Sequence, residues 1–395
     1  MQTDVAIVGA GPAGAWAACH LARVGARVTI YDPSHPREKP CGGGVTARAL
    51  ALLGAALDVS RLPAVVVTEA RFAGNDSRRR AAVPLAVRGR QAHPDMVVVN
   101  RAAFDRALLD AAVAAGARHE PIRVRDVDVR ADGVYLDLGS TRVRSDVVIG
   151  ADGANSLVRR RTGRPFTRRQ LSIAAGVFAH GIASSIVDIR FSRDPSGYLW
   201  SFPRADHLAI GACAQADTTS SEALLALTHR WVAEAALAPG ARHQRYAWPI
   251  PSLPAADLEA EHPAGDRWML VGDAAGLVDP LTREGIFFAL RSAELAAETL
   301  VAGRGTGRYV EALRDTIHPE LTHAARLKAG FFRGAFTDLV VEALARSRRV
   351  QAVMADLVAG RQTYRTLRRR LVGTFELGLA WQLLRLERRA PETAA

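Results

Sequence analysis

Apolar and polar positions divide the chain into recurring strand-helix units and one long stretch of strands. Val5-Ala6-Ile7-Val8 is an unbroken apolar run of strand length, the pattern of a strand buried on both faces. Residues 15–24 follow with helical spacing, Gly25 closes them, and residues 27–31 predict a second strand. Residues 46–57 are helical in pattern, 65–72 and 81–87 predict strands, and 97–100 predict another before an amphipathic helix over 102–115. Residues 122–129 and 134–138 predict a hairpin-like pair around Asp132-Gly133, after which 146–149 return as an apolar strand. Residues 172–179, 186–191, 198–202 and 208–214 predict successive strands without intervening helices, followed by one helix over 220–237. A strand over 267–272, a helix over 286–302 and helical sequence from 306 onward, broken near Pro319, Gly330, Gly360 and Gly373, complete the chain.

This order predicts an α/β fold with an α+β insertion. The expected division is a discontinuous nucleotide-binding domain (1–60, 96–165 and 266–304), an inserted, mainly antiparallel substrate domain (61–95 and 166–265) and a C-terminal helical region (305–395). The first strand runs into Gly9-Ala10-Gly11-Pro12-Ala13-Gly14, a G-x-G-x-x-G turn between strand and helix, and the second strand ends at Asp32. In that context Gly9 allows the tight turn, Gly11 lets backbone approach a pyrophosphate, Gly14 lets helix pack on strand, and Asp32 is placed to accept from a ribose hydroxyl. The helix N-terminus then faces the phosphates. The turn by itself does not separate FAD from NAD.

Two later strands end in similar fashion, in Gly150-Ala151-Asp152-Gly153 and in Gly272-Asp273-Ala274-Ala275-Gly276. Each delivers a carboxylate and a flexible turn to the crevice at the carboxyl ends of parallel strands. Asp273 can hold ribityl or ribose hydroxyls, and the helix start at Gly285-Ile286 offers free N–H groups and a positive dipole end. The loop Pro40-Cys41-Gly42-Gly43-Gly44 invites close approach of a flat ligand to the backbone.

Composition changes the picture little. At 49% apolar and 23% charged, with no apolar run long enough to span a bilayer, the chain is expected to be an ordinary globular protein of the cytoplasm. Cys19, Cys41 and Cys213 form no C-x-x-C pair, so neither a disulfide framework nor a cysteine-based metal site is expected. The net charge of +12 comes almost wholly from arginine, since Lys39 and Lys328 are the only lysines. So lopsided a choice in an alanine-rich chain reflects coding bias more than a nucleic-acid partner, and none is expected. Residues 364–389 combine apolar positions such as Leu367, Leu371, Phe375 and Trp381 with many arginines. Such a stripe either packs on its own protein or lies on a membrane surface.

The three glycine-acid motifs together resemble those of the FAD-dependent, p-hydroxybenzoate hydroxylase-like oxidoreductase superfamily. Within it, Pro40-Cys41-Gly42-Gly43-Gly44 and Pro195-x-x-Tyr198-x-Trp200-x-Phe202-Pro203 resemble two marks of the geranylgeranyl reductase family. The resemblance spans residues 1 to about 305 and implies a flavoprotein that saturates isoprenoid double bonds by hydride transfer from N5 of the reduced flavin. It implies that Gly9, Gly11, Pro12, Ala13 and Gly14 contact the FAD pyrophosphate and that Asp32 binds the adenosine ribose, where the family usually has Glu. Arg101 would reach the phosphate side. Asp152, Gly153, Gly272, Asp273, Ala274, Gly285 and Ile286 would flank the cofactor, with Cys41, Gly42 and Gly43 beside the ring. Arg283 stands where the family commonly has Gly, puts a cation beside the flavin, and is expected with Tyr198, Trp200 and Phe202 among the substrate-binding residues.

Alternation along 198–202 places Tyr198, Trp200 and Phe202 on one face of a strand. Facing the flavin they form an apolar wall for a prenyl chain, and facing inward they are core. Cys41 is the candidate proton donor, although a buried thiol is commonly packing. The electron donor would be NAD(P)H or a ferredoxin-like protein. A flavin-dependent monooxygenase or halogenase shares the FAD motifs, but a halogenase needs a lysine near the substrate, and Lys39 and Lys328 do not match that arrangement. An FAD-holding lipid carrier is the non-enzymatic alternative.

Overall fold

The N-terminal apolar run forms the strand Asp4–Val8 near the middle of a six-stranded sheet. Its order is Arg118–Glu120, Arg27–Tyr31, Asp4–Val8, Val147–Gly150, Trp268–Leu270 and Ala264–Gly265, parallel except for the last pair. The structure, a computed structural model, describes residues 4–75, 78–88, 93–303, 305–332 and 334–374. The helix Pro12–Arg23 begins with Pro at its first position, where a missing N–H costs nothing. It is buried almost all round, packed against the helices Arg101–Ala114 and Ile286–Val301. Trp16, Phe104 and Phe288 fill that layer. Full burial rather than a one-sided stripe is why this helix is apolar on nearly every face.

The second sheet has seven strands, in the order Arg242–Pro251, Leu171–His180, His207–Gln215, Ser196–Pro203, Ile186–Arg193, Glu69–Ala73 and Arg80–Pro84. Neighbours are antiparallel except Ile186–Arg193 with Glu69–Ala73, which run parallel. One face receives the helix Ser221–Glu234, whose Leu224, Trp231 and Val232 pack on Val177, Leu199, Ile210 and Ala212. Beyond the helix Ile286–Val301, the helices Gly307–Thr316, His318–Phe331, Gly334–Arg346, Arg348–Val358 and Tyr364–Val372 follow. Val341, Leu344 and Phe332 from this group bury Phe72, Val83 and Phe191 of the other face.

Three elements depart from the pattern. The apolar run at 65–72 is two strands: Ala64–Val66 pairs with Met96–Val99 in a small sheet, and Glu69–Ala73 joins the seven-stranded one. Hydrophobic period does not reveal a change of sheet. Arg242–Pro251 is an unpredicted ten-residue strand, hidden by its arginines and prolines, which an edge strand tolerates because one side needs no ladder. Arg142–Ser145 likewise adds an unpredicted third strand to the hairpin Asp126–Arg130 and Gly133–Asp137.

Of the arginine-rich stripe at 364–389, residues 375–389, with Phe375 and Trp381, lie outside the described residues. In the described part Tyr364 is buried, and Leu367 and Leu371 pack against the sheet-covering helices. Among the described residues no helix is long and apolar enough to cross a membrane. The Tyr364 hydroxyl donates to Oδ2 of buried Asp279 at 2.8 Å, tying this last helix to the loop before Ile286–Val301. Tyr364→Phe should therefore cost about 1 to 3 kcal/mol by leaving a buried carboxylate oxygen short of a donor, read as a lower midpoint in denaturant unfolding.

Candidate flavin and substrate site

Close backbone packing shapes the first glycine turn. Gly9 has φ of +105°, and a Cβ on Gly14 would run into the Gly9 carbonyl oxygen and lie 3.1 Å from Ala151 Cβ. Gly11 differs: a Cβ there would meet only His35 Nε2, at 3.7 Å. Gly9 and Gly14 are thus required by the protein itself, whereas the space over Gly11 is open. No side chain caps the helix at Gly11 or the one beginning after Gly285, so both present unpaired N–H groups.

Asp152 uses Oδ2 to accept from Leu157 N at 2.6 Å, while its buried Oδ1 has no partner. Burial pushes this carboxyl above its ordinary range. An open glycine cradle, two uncapped helix starts and an orphaned buried oxygen at the ends of adjacent parallel strands fit a dinucleotide cofactor. Ala13 and Gly272 meet behind it, since a Cβ on Gly272 would lie 3.2 Å from Ala13 Cβ. Ala274 is wholly buried.

Asp32 is more occupied than its expected role suggests. Oδ2 accepts from Ala10 N (2.9 Å) and pairs with His35 Nδ1 (2.7 Å), and Oδ1 accepts from Ser34 N (2.7 Å) and Oγ (2.8 Å) and from His35 N (3.1 Å). Burial opposes ionisation, but the bonds from His35, Ala10 and Ser34 outweigh it and hold the carboxyl far below the usual range. Any ribose hydroxyl would share an acceptor already serving the loop.

His35 Nε2 lies 3.6 Å from Asp105, which takes both Nε and Nη2 of buried Arg101 at 2.8 Å. Arg101 Nη1 then donates to Cys41 Sγ at 3.2 Å. Arg101 is thus committed to Asp105 and Cys41, although sequence placed it toward the phosphate. Glu38, which sequence reasoning missed, accepts from the backbone N–H groups of Arg101 (3.1 Å) and Ala102 (3.0 Å) and from Arg204 Nη1. It puts a carboxylate at an otherwise uncapped helix start. Arg204 also donates to the Cys41 carbonyl at 2.7 Å. Its position directly after the aromatic motif was the signal available in the sequence.

The three-glycine loop lies under the aromatic strand. Side chains at Gly42 and Gly44 would press on the Phe202 ring at 3.1 Å, and one at Gly43 would meet Val99 O at 2.7 Å and the Arg204 guanidinium at 2.9 Å. Protein packing thus accounts for these glycines, where sequence suggested a flat ligand. Tyr198, Trp200 and Phe202 share one face of Ser196–Pro203, as the alternation requires. Trp200 is only 5% exposed, among Phe178, Cys213 and Tyr246. Tyr198 and Phe202 are half-buried, and the Tyr198 hydroxyl donates to Thr282 O at 2.7 Å.

Across the crevice Asp273 pairs with Lys39 Nζ at 3.1 Å and lies beside Gly285. The Asp279–Glu284 turn is held by Leu281 N and Thr282 N on Asp279 Oδ1 and by Arg48 and Thr46 on Glu284. Within it Arg283 has φ of +63°. Two cavities, of 280 Å³ beside Thr299 and Arg308 and of 190 Å³ beside Arg190 and Trp231, lie away from these groups. His180, Asp206 and His207 bring ligand-type atoms within 4.8 Å. Asp206 already accepts from Asn100 and pairs with His207, beside cationic Arg204, whereas Nε2 of His180 and Nε2 of His207 have no hydrogen-bond partner.

Residues 2–327 match the family described as FAD binding domain. A menaquinone reductase of Mycolicibacterium smegmatis is 32% identical over 76% of this chain and 77% of its own. A digeranylgeranylglycerophospholipid reductase of Methanothrix thermoacetophila is 29% identical over 86% and 90%. The crystal structure of a geranylgeranyl bacteriochlorophyll reductase-like protein from Thermoplasma acidophilum superposes with a TM-score of 0.75 at 22% identity, covering 94% of this chain and 99% of that one. The flavin-dependent halogenase CmlS has the same fold, with a TM-score of 0.69 at 20% identity over 95% and 77%. The chain belongs to the FAD-dependent oxidoreductases of the geranylgeranyl reductase family.

Two outcomes follow from this geometry. Gly11→Ala should leave the FAD-free protein as stable as the parent but weaken FAD binding at least about tenfold, whereas Gly14→Ala should destabilise the protein with or without FAD. Flavin titration and thermal melts of both variants check this. Because the Asp32 carboxyl is held low in the folded chain, it stabilises the protein at neutral pH, and that contribution is lost as pH falls below the usual carboxyl range near 4. Asp32→Asn should therefore flatten the acid limb of the stability profile.

Proposed function

We propose that the protein saturates double bonds of an isoprenoid chain, in a lipid or small-molecule substrate. The observation that carries this reading is the aromatic face of Ser196–Pro203 set directly on the Cys41–Gly44 loop, together with relatives named for geranylgeranyl and quinone reduction. The residues proposed to hold FAD are the Gly9–Gly14 turn with Pro12 and Ala13, Asp32, Asp152, Gly153, Gly272, Asp273, Ala274, Gly285 and Ile286. Bound FAD would supply the hydride once reduced, either by hydride from NAD(P)H or by two single electrons from a ferredoxin-like donor together with a proton from solvent.

The chain's own residues supply orientation and a proton. Half-buried Tyr198 and Phe202 offer apolar surface to an alkyl chain, with buried Trp200 supporting them. Arg101 and Arg204 fix the loop through Cys41 Sγ and the Cys41 carbonyl, and the Sγ proton is the one proposed to reach the second alkene carbon. The discontinuous division into nucleotide-binding, substrate-binding and C-terminal regions is carried forward as part of this reading.

A halogenase reading draws on one observation. Lys328, remote in sequence, donates to Gln215, the last residue of the strand His207–Gln215, and to Ser252, directly after the edge strand Arg242–Pro251. Its remoteness therefore no longer counts against that reading, and a halide-dependent product assay separates the two.

Under the reductase reading, Tyr198→Ala should lower kcat/KM for long-chain prenyl substrates by about tenfold or more, with flavin content unchanged. Trp200→Ala should instead lower stability by about 3 to 5 kcal/mol, since it empties a packed site. Mass gains of two hydrogens per step, after anaerobic flavin reduction and addition of polyprenyl compounds, test the reaction itself. No mass gain with any prenyl compound overturns it.

A further inference from the structure

Tyr198 brings the loop cation Arg283 and the half-buried Lys328 into one neighbourhood, since its hydroxyl donates to Thr282 O at 2.7 Å and its ring stacks on Phe332, four residues after Lys328. Arg283 Nε and Nη1 are buried and have no hydrogen-bond partner. Its backbone lies in the left-handed region, at φ of +63°, which costs a side-chain-bearing residue free energy that glycine escapes. Asp279, the acid of the same turn, gives its oxygens to Leu281 N, Thr282 N and the Tyr364 hydroxyl. Lys328 Nζ donates to two neutral oxygens, Gln215 Oε1 at 2.5 Å and Ser252 Oγ at 2.8 Å. Burial, and then the Arg283 guanidinium, bring Lys328 down to about 7, opposed by Cys213 and the exposed Asp217. Cys213 and Tyr198 complete the surroundings, and the charge of Arg283 is felt at both.

Two half-buried cations that raise each other's energy, one with buried unpartnered N–H groups on a strained backbone, want an anion. We propose that Arg283 and Lys328 form a subsite for a phosphate-type group, and that the isoprenoid substrate is presented by a phosphorylated head lodged between them. Two guanidinium N–H donors in a fixed plane suit the oxygens of a phosphate or diphosphate, and the ammonium supplies a point charge opposite. The apolar chain then runs from this head along Tyr198 and Phe202. This inference rests on the isoprenoid reading for the chain but not for the anion.

The test uses the FAD-loaded full chain, titrated calorimetrically with geranylgeranyl diphosphate, geranylgeraniol and inorganic pyrophosphate. Geranylgeranyl diphosphate should bind about 10 to 100 times more tightly than the alcohol, and pyrophosphate alone should bind measurably. Arg283→Gly, which suits the backbone, and Lys328→Met should each remove most of that preference and the pyrophosphate binding, with flavin content unchanged. Should Lys328→Met not fold, Arg283→Gly and the parent titrations still decide. Equal affinity for diphosphate and alcohol, or a preference that survives Arg283→Gly, overturns the subsite. So does an Arg283→Gly variant whose one change is the flavin midpoint potential, because the guanidinium then serves the ring. If pyrophosphate binds and is lost in the variants while no prenyl compound binds or is reduced, the subsite stands and the isoprenoid reading fails.

Discussion

Everything in the crevice depends on how closely three stretches of backbone approach one another. Gly14 sits on the carbonyl of Gly9 with no room for a methyl group, and both lie against Ala151 at the end of the neighbouring strand. That contact fixes where the first helix begins relative to the sheet, and hence where its free N–H groups point. Asp152 and Gly272 are placed by the same parallel register, Gly150 lying beside both Val8 and Leu270. A methyl group at Gly14 would move the helix, and the acid-bearing turns would no longer converge.

From that fixed point a line of polar contacts runs outward. Ala10 N–H meets Asp32, Asp32 meets His35, His35 lies near Asp105, Asp105 holds Arg101, and Arg101 reaches Cys41. Most of these groups are buried, so each is satisfied by its neighbour rather than by water, and removing one member strands another. Glu38 and Arg204 join the line to the substrate-side sheet through the Cys41 carbonyl. The loop carrying the thiol is thus positioned from the nucleotide side and the sheet side together.

Much of this was legible in the residues. The fingerprint turn, both returning strands and the aromatic alternation follow from local spacing, because the parallel strands are short, apolar and ended by glycine. What could not be read were matters of partnership. Nothing near Glu38 in sequence announces that it caps a helix starting at Arg101, and nothing near Lys328 announces Gln215 and Ser252. The strand Arg242–Pro251 was missed because proline and arginine argue against strands in general, whereas a sheet edge accepts both. The glycines at 42–44 were read as room for a ligand, yet the rings and guanidinium that require them come from residues 202 and 204.

The parallel pairing of Ile186–Arg193 with Glu69–Ala73 has a consequence for assembly. Glu69–Ala73 and Arg80–Pro84 leave the ribosome more than a hundred residues before the strand that anchors them, and the helices that cover Phe72 and Val83 come later still. Contacts of such long sequence separation form slowly, because loop-closure entropy is lost before any pairing compensates for it. During synthesis this hairpin is therefore an unpaired edge with apolar side chains in view, and the nascent chain should be most prone to aggregate between the emergence of Val83 and that of Leu344.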